Sequence, residues 1–329
     1  MTAADANRQT DPARARRPLR ILTWHVHGNY LYSLSHVPHT FVVPGTMDGR
    51  PGYGPLGKRI PWGPNLSQVA AGSLRDERFD CVIYQHANNL RDAERLLTPE
   101  QRRLPSLYLE HNPPEPHPTD TRHPFQHARG MLVHVTHYNA IMWDSGAMPA
   151  RVIEHGVPAP AVRYGGEFAR GIVVVNHLAR RGRRIGLDLF ETLRARHPLD
   201  LIGMGSEALG GLGEIPNMEV AAFMARYRYF FSPIRYASLG LSLVEAMLCG
   251  LPVVGFAATE LPTVIVNGQS GYVDTRPERL GEAMAALEHD PDLARRWGAA
   301  ARLTALTRFG MERFVADWLR ALDDLMETS

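Results

Sequence analysis

Residues 232–255 have the sequence SPIRYASLGLSLVEAMLCGLPVVG, which contains the most informative pattern in the chain. An apolar strand is predicted to end at Ser232, and a glycine-containing loop follows it. A helix is predicted to begin near Ser242 and to end at Gly250, just before the next apolar run. A glycine after a helix and apolar runs without alternation are typical of a strand-helix-strand unit in a parallel sheet. The stretch therefore predicts a doubly wound α/β domain.

The same alternation of short apolar runs and helical patterns extends from Leu19 to the end of the chain. Strands are predicted at 20–24, 40–43, 80–84, 106–109, 131–135 and 151–154, and then at 171–175, 200–203, 229–232 and 252–255. Proline and glycine between the two series predict a hinge near residues 157–170. We expect a disordered tail (1–18), two doubly wound domains (19–165 and 166–310), and a final helix (311–329) that packs back toward the first domain.

The composition excludes several classes of protein. The 329 residues are 44% apolar and carry a net charge of +2, which is typical of a globular chain and gives no reason to expect a nucleic-acid partner. A slight basic excess in the first half is compatible with weak peripheral contact with a membrane. Cys81 and Cys249 lie far apart in apolar contexts, so we expect no disulfide and a cytoplasmic location, with the inner face of the membrane as the alternative.

The basic residues are almost all arginines. Lys58 is the only lysine among 36 basic residues, and 12 of the 15 histidines precede residue 166. An anion site in this chain must therefore use guanidinium groups, imidazoles and backbone amides.

Two features of the opening stretch point to a phosphate and a sugar ring. Free amides near Gly240 and Leu241, at the start of the predicted helix, would suit a phosphate group. Ser242 and Glu245 match the spacing of a capping box, in which both side chains would serve the helix start. The Glu245 carboxylate can equally accept hydrogen bonds from the two hydroxyls of a ribose.

Four arginines lie at positions 180, 181, 183 and 184, between a predicted strand and a helix predicted over 185–196. They form either a solvated surface or a diphosphate site in which guanidinium groups and a helix start act together. In the second case we expect Arg181, Arg183 and Arg184 to make the contacts. A loose glycine motif at 203–208 predicts either a floor beneath a nucleotide or a plain turn.

The second half resembles the donor-binding half of family 4 glycosyltransferases, which are retaining enzymes of the GT-B fold. The resemblance is carried by SLGLSLVEAMLCGLPVV at 238–254, Leu-Pro at 261–262 and NGQSGYV at 267–273. A looser similarity in the first half involves HGVP at 155–158 and LEH at 109–111. The implied fold is GT-B, with two Rossmann-like domains that face each other across a cleft.

The resemblance also implies an activity. It is the transfer of a sugar, with retention, from a nucleotide diphosphate sugar to the hydroxyl of a carbohydrate or a lipid-linked acceptor. No metal or other cofactor would be required, and surface polysaccharide or glycolipid synthesis is the expected setting. The implied donor-binding residues, besides the arginines, are Gly240, Leu241, Ser242 and Glu245. Glu245 and His111 are the expected catalytic residues, and His27, Gly28 and Asn29 would face the transferred sugar or the acceptor.

The chain departs from the family pattern at three places. The first of the family's paired glutamates, eight positions before Glu245, is Ala237. His177 stands where an arginine is usual, and Thr259-Glu260 replaces a pair of glycines. These departures leave two alternatives open, a nucleotide-sugar epimerase of the same architecture and a nucleotide-sugar-binding protein without turnover.

The remaining motifs have structural interpretations. His25 and His27 share one face of an extended segment, but no further ligands follow at metal-site spacing, so we expect no metal. His134 and His137 are predicted to be hydrogen-bonded core or strand-edge residues. Asp290 is predicted to cap a helix that begins with Pro291.

Overall fold

A computed structural model of the chain describes residues 17–50, 52–57 and 60–327. Within these ranges the strands form a seven-stranded and a five-stranded sheet, and the strand pairs are parallel. Most of the predicted tail, and also Lys58, lie outside the described residues. Among the described residues, no helix is both long enough and apolar enough to cross a membrane.

The first sheet has the strand order β3-β2-β1-β4-β5-β6-β7. Its strands are β1 (Arg20–Leu22), β2 (Thr40–Gly45), β3 (Leu66–Ala70), β4 (Cys81–Tyr84), β5 (Ser106–Glu110), β6 (Gly130–His134) and β7 (Ala150–Val152). The helices of this part are α1 (Gly28–Leu34), α2 (Ala87–Leu96), α3 (Pro99–Arg102) and α4 (His137–Met142), with a 3₁₀ turn at Ala71–Asp76. Side chains of β4 and β5 are buried throughout, as expected for parallel strands covered on both faces.

The second sheet has the strand order β12-β11-β10-β8-β9. Its strands are β8 (Phe168–Val174), β9 (Leu199–Ile202), β10 (Tyr227–Ser232), β11 (Val253–Phe256) and β12 (Gly271–Asp274). The helices are α5 (Leu178–Arg181), α6 (Leu187–Arg194), α7 (Asn217–Met224), α8 (Leu241–Cys249), α9 (Leu261–Val264), α10 (Pro277–His289) and α11 (Pro291–Arg308), with 3₁₀ turns at Gly182–Ile185 and Ser206–Leu209. Both cysteines are free and buried.

The last helix, α12 (Met311–Glu327), packs against the first sheet rather than the second. Phe314, Trp318 and Leu322 are buried in one core cluster with Ile21 of β1. Nε1 of Trp318 donates a 3.3 Å hydrogen bond to the hydroxyl of Tyr30. The end of the chain therefore ties the second domain back to the first.

The structure corrects several predicted elements. Strands β3 and β12 were not predicted, because β3 is an edge strand with mostly exposed side chains and β12 lies within a motif that resembles a turn. Strand β8 begins at Phe168, so its first residues lie inside the predicted hinge. The helix predicted from residue 185 begins later, at Leu187, after a short 3₁₀ turn.

The two domains meet across a cleft, and side chains from both of them close it. The contacts are Asn29 with Asn217 (2.9 Å), the Tyr138 amide with Glu260 (2.8 Å), Asn139 with Ser238 (2.5 Å), His155 with the Leu239 carbonyl (2.9 Å), Tyr236 with the Pro114 carbonyl (2.9 Å), and the ion pair of Arg184 with Glu115. Several of these residues lie in the segments that follow the carboxyl ends of parallel strands, and ligands of open α/β sheets bind at that edge.

Candidate active site

The N-terminus of α8 carries no side-chain cap. Gly240 is the N-cap residue, and its carbonyl accepts hydrogen bonds from the amides of Leu243 and Val244. Within the described residues, no group accepts a hydrogen bond from the amides of Leu241 or Ser242. Unpaired amides at a helix start attract anions, since they add to the positive end of the helix dipole.

Of the two roles that the sequence leaves open for Glu245, the structure contradicts the capping box at α8. The helix begins at Leu241, so Ser242 lies inside the first turn and its side chain does not cap. The physical reason is that the loop before the helix remains extended through Gly240, which takes the N-cap position itself. The Glu245 side chain therefore takes no part in capping α8.

Glu245 faces open space instead. Its side chain lines two neighbouring cavities of about 230 and 260 Å³, and no described residue pairs with its carboxylate. Burial raises the pKa of Glu245 to about 7. A carboxyl group in a cleft with a strongly raised pKa and no partner is typical of a binding site.

The larger of these two cavities has a mixed wall suited to a nucleoside. Its apolar lining comes from Ile202, Ile215 and Val220, and its polar lining includes Asn176 and Ser242. Asn29 reaches the cavity from the first domain.

Gly203, in the predicted glycine motif, also lines this cavity. Its φ is 129°, and a Cβ atom added there would lie 2.7 Å from the carbonyl oxygen of Val175. Only glycine fits this position, so the backbone itself forms part of the wall.

The smaller cavity is more apolar and lies beside the hinge. It is lined by Pro158 and Pro160 of the hinge, by Tyr32 of α1, and by Met218 of α7. Glu245 therefore lies between a polar and an apolar space.

The arginine cluster divides into three different environments. The Arg183 side chain is 76% exposed and forms an ion pair with Asp188, and Arg184 pairs with Glu115 of the first domain. Within the described residues Arg181 has no carboxylate partner, and burial together with the charge of Arg180 lowers its pKa. Arg181 and Arg184 line a third cavity, of about 570 Å³, whose other walls come from the first domain.

His111 directly follows β5 and is buried. The side-chain amide of Gln85 donates to Thr23 and to the Trp24 carbonyl, so its oxygen accepts from Nε2 of His111 at 3.1 Å. Burial, and after it the neighbouring His27 and His155, keep the pKa of His111 well below its usual value. The imidazole is therefore neutral, with Nδ1 as an acceptor.

The three residues predicted to lie in a loop after β1 are at the start of α1, with His27 as its N-cap residue and Gly28 and Asn29 in its first turn. The His27 ring lies edge-on to His111 with 4.4 Å between the ring centroids. Asn29 lines both cavities beside Glu245. A Cβ atom added at Gly28 would lie 3.3 Å from Nε2 of His25, so Gly28 permits close packing of the start of α1 against the preceding loop.

The prediction that His134 and His137 are hydrogen-bonded core or strand-edge residues is confirmed only for the core position of His134. His134 is fully buried in β6, but neither of its ring nitrogens has a hydrogen-bond partner. Burial, followed by the nearby His123, lowers the pKa of His134 to about 4. His137 is exposed at the first position of α4, because the strand ends at His134.

The other motifs can be placed as well. The predicted role of Asp290 is confirmed, since its side chain accepts hydrogen bonds from the amides of Asp292 and Leu293, and Pro291 is the first helical residue. Within the part of the chain that the structure describes, no three His, Cys, Asp or Glu side chains cluster as metal ligands would.

Sequence reasoning missed several residues that line the site. Asn217 and Glu214 line the larger cavity beside Glu245, and they lie in a segment without a recognisable motif. Glu260 was noted only as a departure from a family pattern, yet it is buried and bonded across the cleft. Its position next to the Leu-Pro motif was the one signal that could have drawn attention to it.

Known proteins resemble part of this chain in sequence. Residues 206–304 match the glycosyl transferases group 1 family. These matched residues lie within the second half of the chain and include the whole of α8. Over 103 residues the chain is 31% identical to alpha-maltose-1-phosphate synthase of Mycolicibacterium smegmatis, a match that covers 29% of this chain and 27% of that protein. The chain spans about a quarter of the length of the curated relatives it matches.

Solved structures share the fold of this chain over more than nine tenths of its length. Sucrose-phosphate synthase of Thermosynechococcus elongatus superimposes with a TM-score of 0.71 at 15% identity, over 95% of this chain and 100% of that one. HepE of Anabaena, solved in complex with UDP and glucose, gives a TM-score of 0.66 at 14% identity, over 93% and 100% of the two chains. The predicted GT-B fold, with two Rossmann-like domains, is confirmed.

Proposed function

We propose that this protein transfers a sugar, with retention, from a nucleoside diphosphate sugar to a hydroxyl acceptor. One observation carries the proposal: the unpaired carboxyl group of Glu245 and the uncapped amides of α8 lie together at the cleft between the domains, on a helix that matches the group 1 glycosyltransferase family. A ribose and a diphosphate are adjacent parts of a nucleoside diphosphate sugar. The carboxyl group of Glu245 suits the ribose hydroxyls, and the amides at the start of the same helix suit the diphosphate.

On the donor side, the base would occupy the cavity walled by Ile202, Gly203 and Ile215. Glu245 would accept hydrogen bonds from the ribose hydroxyls. The amides of Leu241 and Ser242 would bind the diphosphate, where negative charge develops as the sugar leaves. Arg181 is the member of the arginine cluster best placed to add a guanidinium group, since Arg183 and Arg184 are already paired with carboxylates.

On the first-domain side, His111 and the loop at His27 would face the transferred sugar. His111 is neutral, so it would accept a hydrogen bond from a sugar hydroxyl through Nδ1 instead of donating a proton. Ala237 brings no carboxylate to the sugar, so backbone groups and imidazoles would have to position it. The leaving diphosphate, rather than a side chain, would take up the proton of the acceptor hydroxyl.

We further propose that the reaction needs no metal or other cofactor and takes place in the cytoplasm, or at the inner face of a membrane, during glycan or glycolipid synthesis. HepE is similar in fold and binds UDP, so uridine nucleotides are the first donors to test.

A ligand panel on the full chain tests the proposal. Nucleoside diphosphates and their sugars are screened by thermal shift in buffer with chelator, since a ligand at a hundredfold excess over its Kd stabilises by ~2.7 kcal/mol. We expect one nucleoside diphosphate to stabilise the wild type and to lose most of its effect in Glu245→Ala. The matched control is Glu282→Ala, an exposed glutamate of α10 far along the chain.

The donor identified by the panel is then incubated with and without candidate acceptors. Product with a retained anomeric configuration, read by NMR, supports the proposal. Conversion of the donor alone would indicate an epimerase, and tight binding without turnover would indicate a binding protein. Failure of every nucleoside diphosphate to bind, or full activity of Glu245→Ala, would refute the assignment of the site.

A further inference from the structure

The cavity of about 570 Å³ at the carboxyl edge of the first sheet is not used by the proposed donor site. Its walls come from Glu110 at the end of β5, from Asn112 and Glu115 in the loop that follows, and from Trp143 after α4. Arg181 and Arg184 of the second domain close its far side. The cavity therefore lies where the two domains meet, and it shares Arg181 with the proposed diphosphate site.

Glu110 is held in one orientation by two donors. The amide of Asn112 donates a 2.8 Å hydrogen bond to Oε1, and Nε2 of His123 lies 3.2 Å from Oε2. The amide of Phe125 donates to Nδ1 of His123, so Nε2 carries the proton and donates to Glu110. Each carboxylate oxygen has more than one lone pair, so Glu110 can still accept hydrogen bonds from a ligand in the cavity.

Trp143 is fixed in the wall of the same cavity. Its Nε1 donates a 2.9 Å hydrogen bond to the carbonyl of Asn112, and its ring lies against His123 with 4.8 Å between the centroids. A fixed and partly exposed indole beside a carboxylate offers an apolar face together with a hydrogen-bond acceptor. A polyhydroxylated ring presents the complementary surfaces.

The charges of the walls do not cancel. Arg184 is paired with Glu115, and Glu110 accepts from His123. Within the described residues Arg122 and Arg181 line the cavity without a carboxylate partner. If Arg181 turns to the donor diphosphate, the Arg122 guanidinium remains for a second anion, and its planar fork suits a phosphate or carboxylate group.

We propose that this cavity binds the acceptor, and that the acceptor is a small polyhydroxylated molecule that carries a phosphate or carboxylate group. Glu110 accepts a hydrogen bond from one of its hydroxyls, Trp143 covers its ring, and Arg122 pairs with its anionic group. The inference rests on the proposed function, because it places the acceptor beside the proposed donor site.

Three probes that share one ring test the charge requirement. Glucose 6-phosphate, glucuronate and glucose are titrated into the full chain by calorimetry, with and without saturating UDP. We expect at least one anionic probe to bind at least ten times more tightly than glucose. Comparison of glucose 6-phosphate with glucuronate shows whether phosphate or carboxylate is preferred. Arg122→Ala should remove this preference, whereas Arg129→Ala, an exposed arginine of the same domain that lies outside the cavity, should keep it.

Glu110→Gln provides a second readout. We expect weaker binding of all three probes with unchanged UDP binding, because the variant alters the hydroxyl acceptor and leaves Arg122 in place. Equal affinity for glucose and its anionic derivatives, no binding of any probe, or an unchanged preference in Arg122→Ala would overturn the inference. These results can be told apart from a failure of the proposed function. In that case nucleoside diphosphates would not bind, but the preference for anionic probes that depends on Arg122 would persist.

Discussion

Oε2 of Glu260, in the second domain, accepts a 2.8 Å hydrogen bond from the backbone amide of Tyr138, in the first domain. Oε1 of the same carboxylate pairs with Arg308 at 2.8 Å, and Glu260 is only 2% exposed. The resembled family has a glycine at this position. In this chain a buried carboxylate joins the domains at the edge of the cleft.

Removing this carboxylate should weaken the whole molecule. Glu260→Ala leaves the Tyr138 amide without its acceptor, and among the described residues Arg308 keeps Glu154 as its one carboxylate partner. We therefore expect a loss of about 2–3 kcal/mol in the free energy of unfolding. Glu260→Gln retains an acceptor for the amide and should lose less. Urea unfolding measures both variants, and equal stability of Glu260→Ala and the wild type would contradict the prediction.

Nucleotide binding should depend on pH through Glu245. In the free protein burial raises the pKa of Glu245 to about 7, and ribose hydroxyls donate to the ionised form. Protonation therefore competes with binding, and affinity should fall about tenfold from pH 8 to pH 6, as the ionised fraction does. Calorimetry with the nucleoside measures this without the titration of a diphosphate. Glu245→Gln should bind more weakly and show no such dependence, and an equal slope in this variant would exclude Glu245 as its source.

Arg181 and Arg183 should differ in their contribution to the binding of a nucleoside diphosphate. Arg181→Ala should weaken binding of the nucleoside diphosphate by about tenfold or more, as expected for a lost charge-assisted hydrogen bond, and leave the affinity for the nucleoside unchanged. Arg183→Ala is the matched control, because Arg183 is exposed and already paired with Asp188. Titration calorimetry with both ligands measures the difference. A similar loss in the two variants would indicate a general effect of surface charge instead.

The sequence predicted the two sheets well because buried parallel strands consist of continuous apolar runs, as in β4 and β10. Strand β3 escaped prediction because Ser67 and Gln68 are exposed at the edge of the sheet. The donor-side residues at 240–245 could be predicted since they lie within one loop and one helix turn. Glu110 and Arg122 are brought to one cavity by the arrangement of strands and loops, which leaves no local pattern in the sequence.

His134 should make the protein sensitive to mild acid. Its pKa is about 4 in the folded protein and ~6.5 when unfolded, so below pH 6.5 the unfolded chain binds a proton that the folded chain does not. Stability is therefore lost as the pH falls from 6.5 toward 4, by about 2 kcal/mol at pH 5 from this residue.

His134→Leu removes both the titration and two buried nitrogens without partners. We expect this variant to be at least as stable as the wild type at pH 7.5 and to lose less stability at pH 5. His137→Leu, at an exposed position, serves as the control. Guanidinium unfolding at pH 7.5 and pH 5 measures the change in the free energy of unfolding. Equal losses in the wild type and His134→Leu would show that other groups dominate the pH dependence.

Gly156 allows the final helix to approach the first domain. A Cβ atom added at Gly156 would lie 2.2 Å from Cγ of Phe314, which is fully buried in α12. We expect Gly156→Ala to cost about 2 kcal/mol through overpacking, whereas Gly72→Ala, where an added Cβ meets no atom within 4 Å, should cost little.

A double-mutant cycle identifies Phe314 as the cause. Phe314→Ala alone should cost about 3–5 kcal/mol because it leaves a cavity, but in its presence Gly156→Ala should add almost nothing, since the clashing ring is gone. Urea unfolding of the four proteins gives the coupling free energy, which we expect to be close to the whole cost of Gly156→Ala. Additive losses would mean that the backbone at Gly156, and not contact with α12, requires glycine.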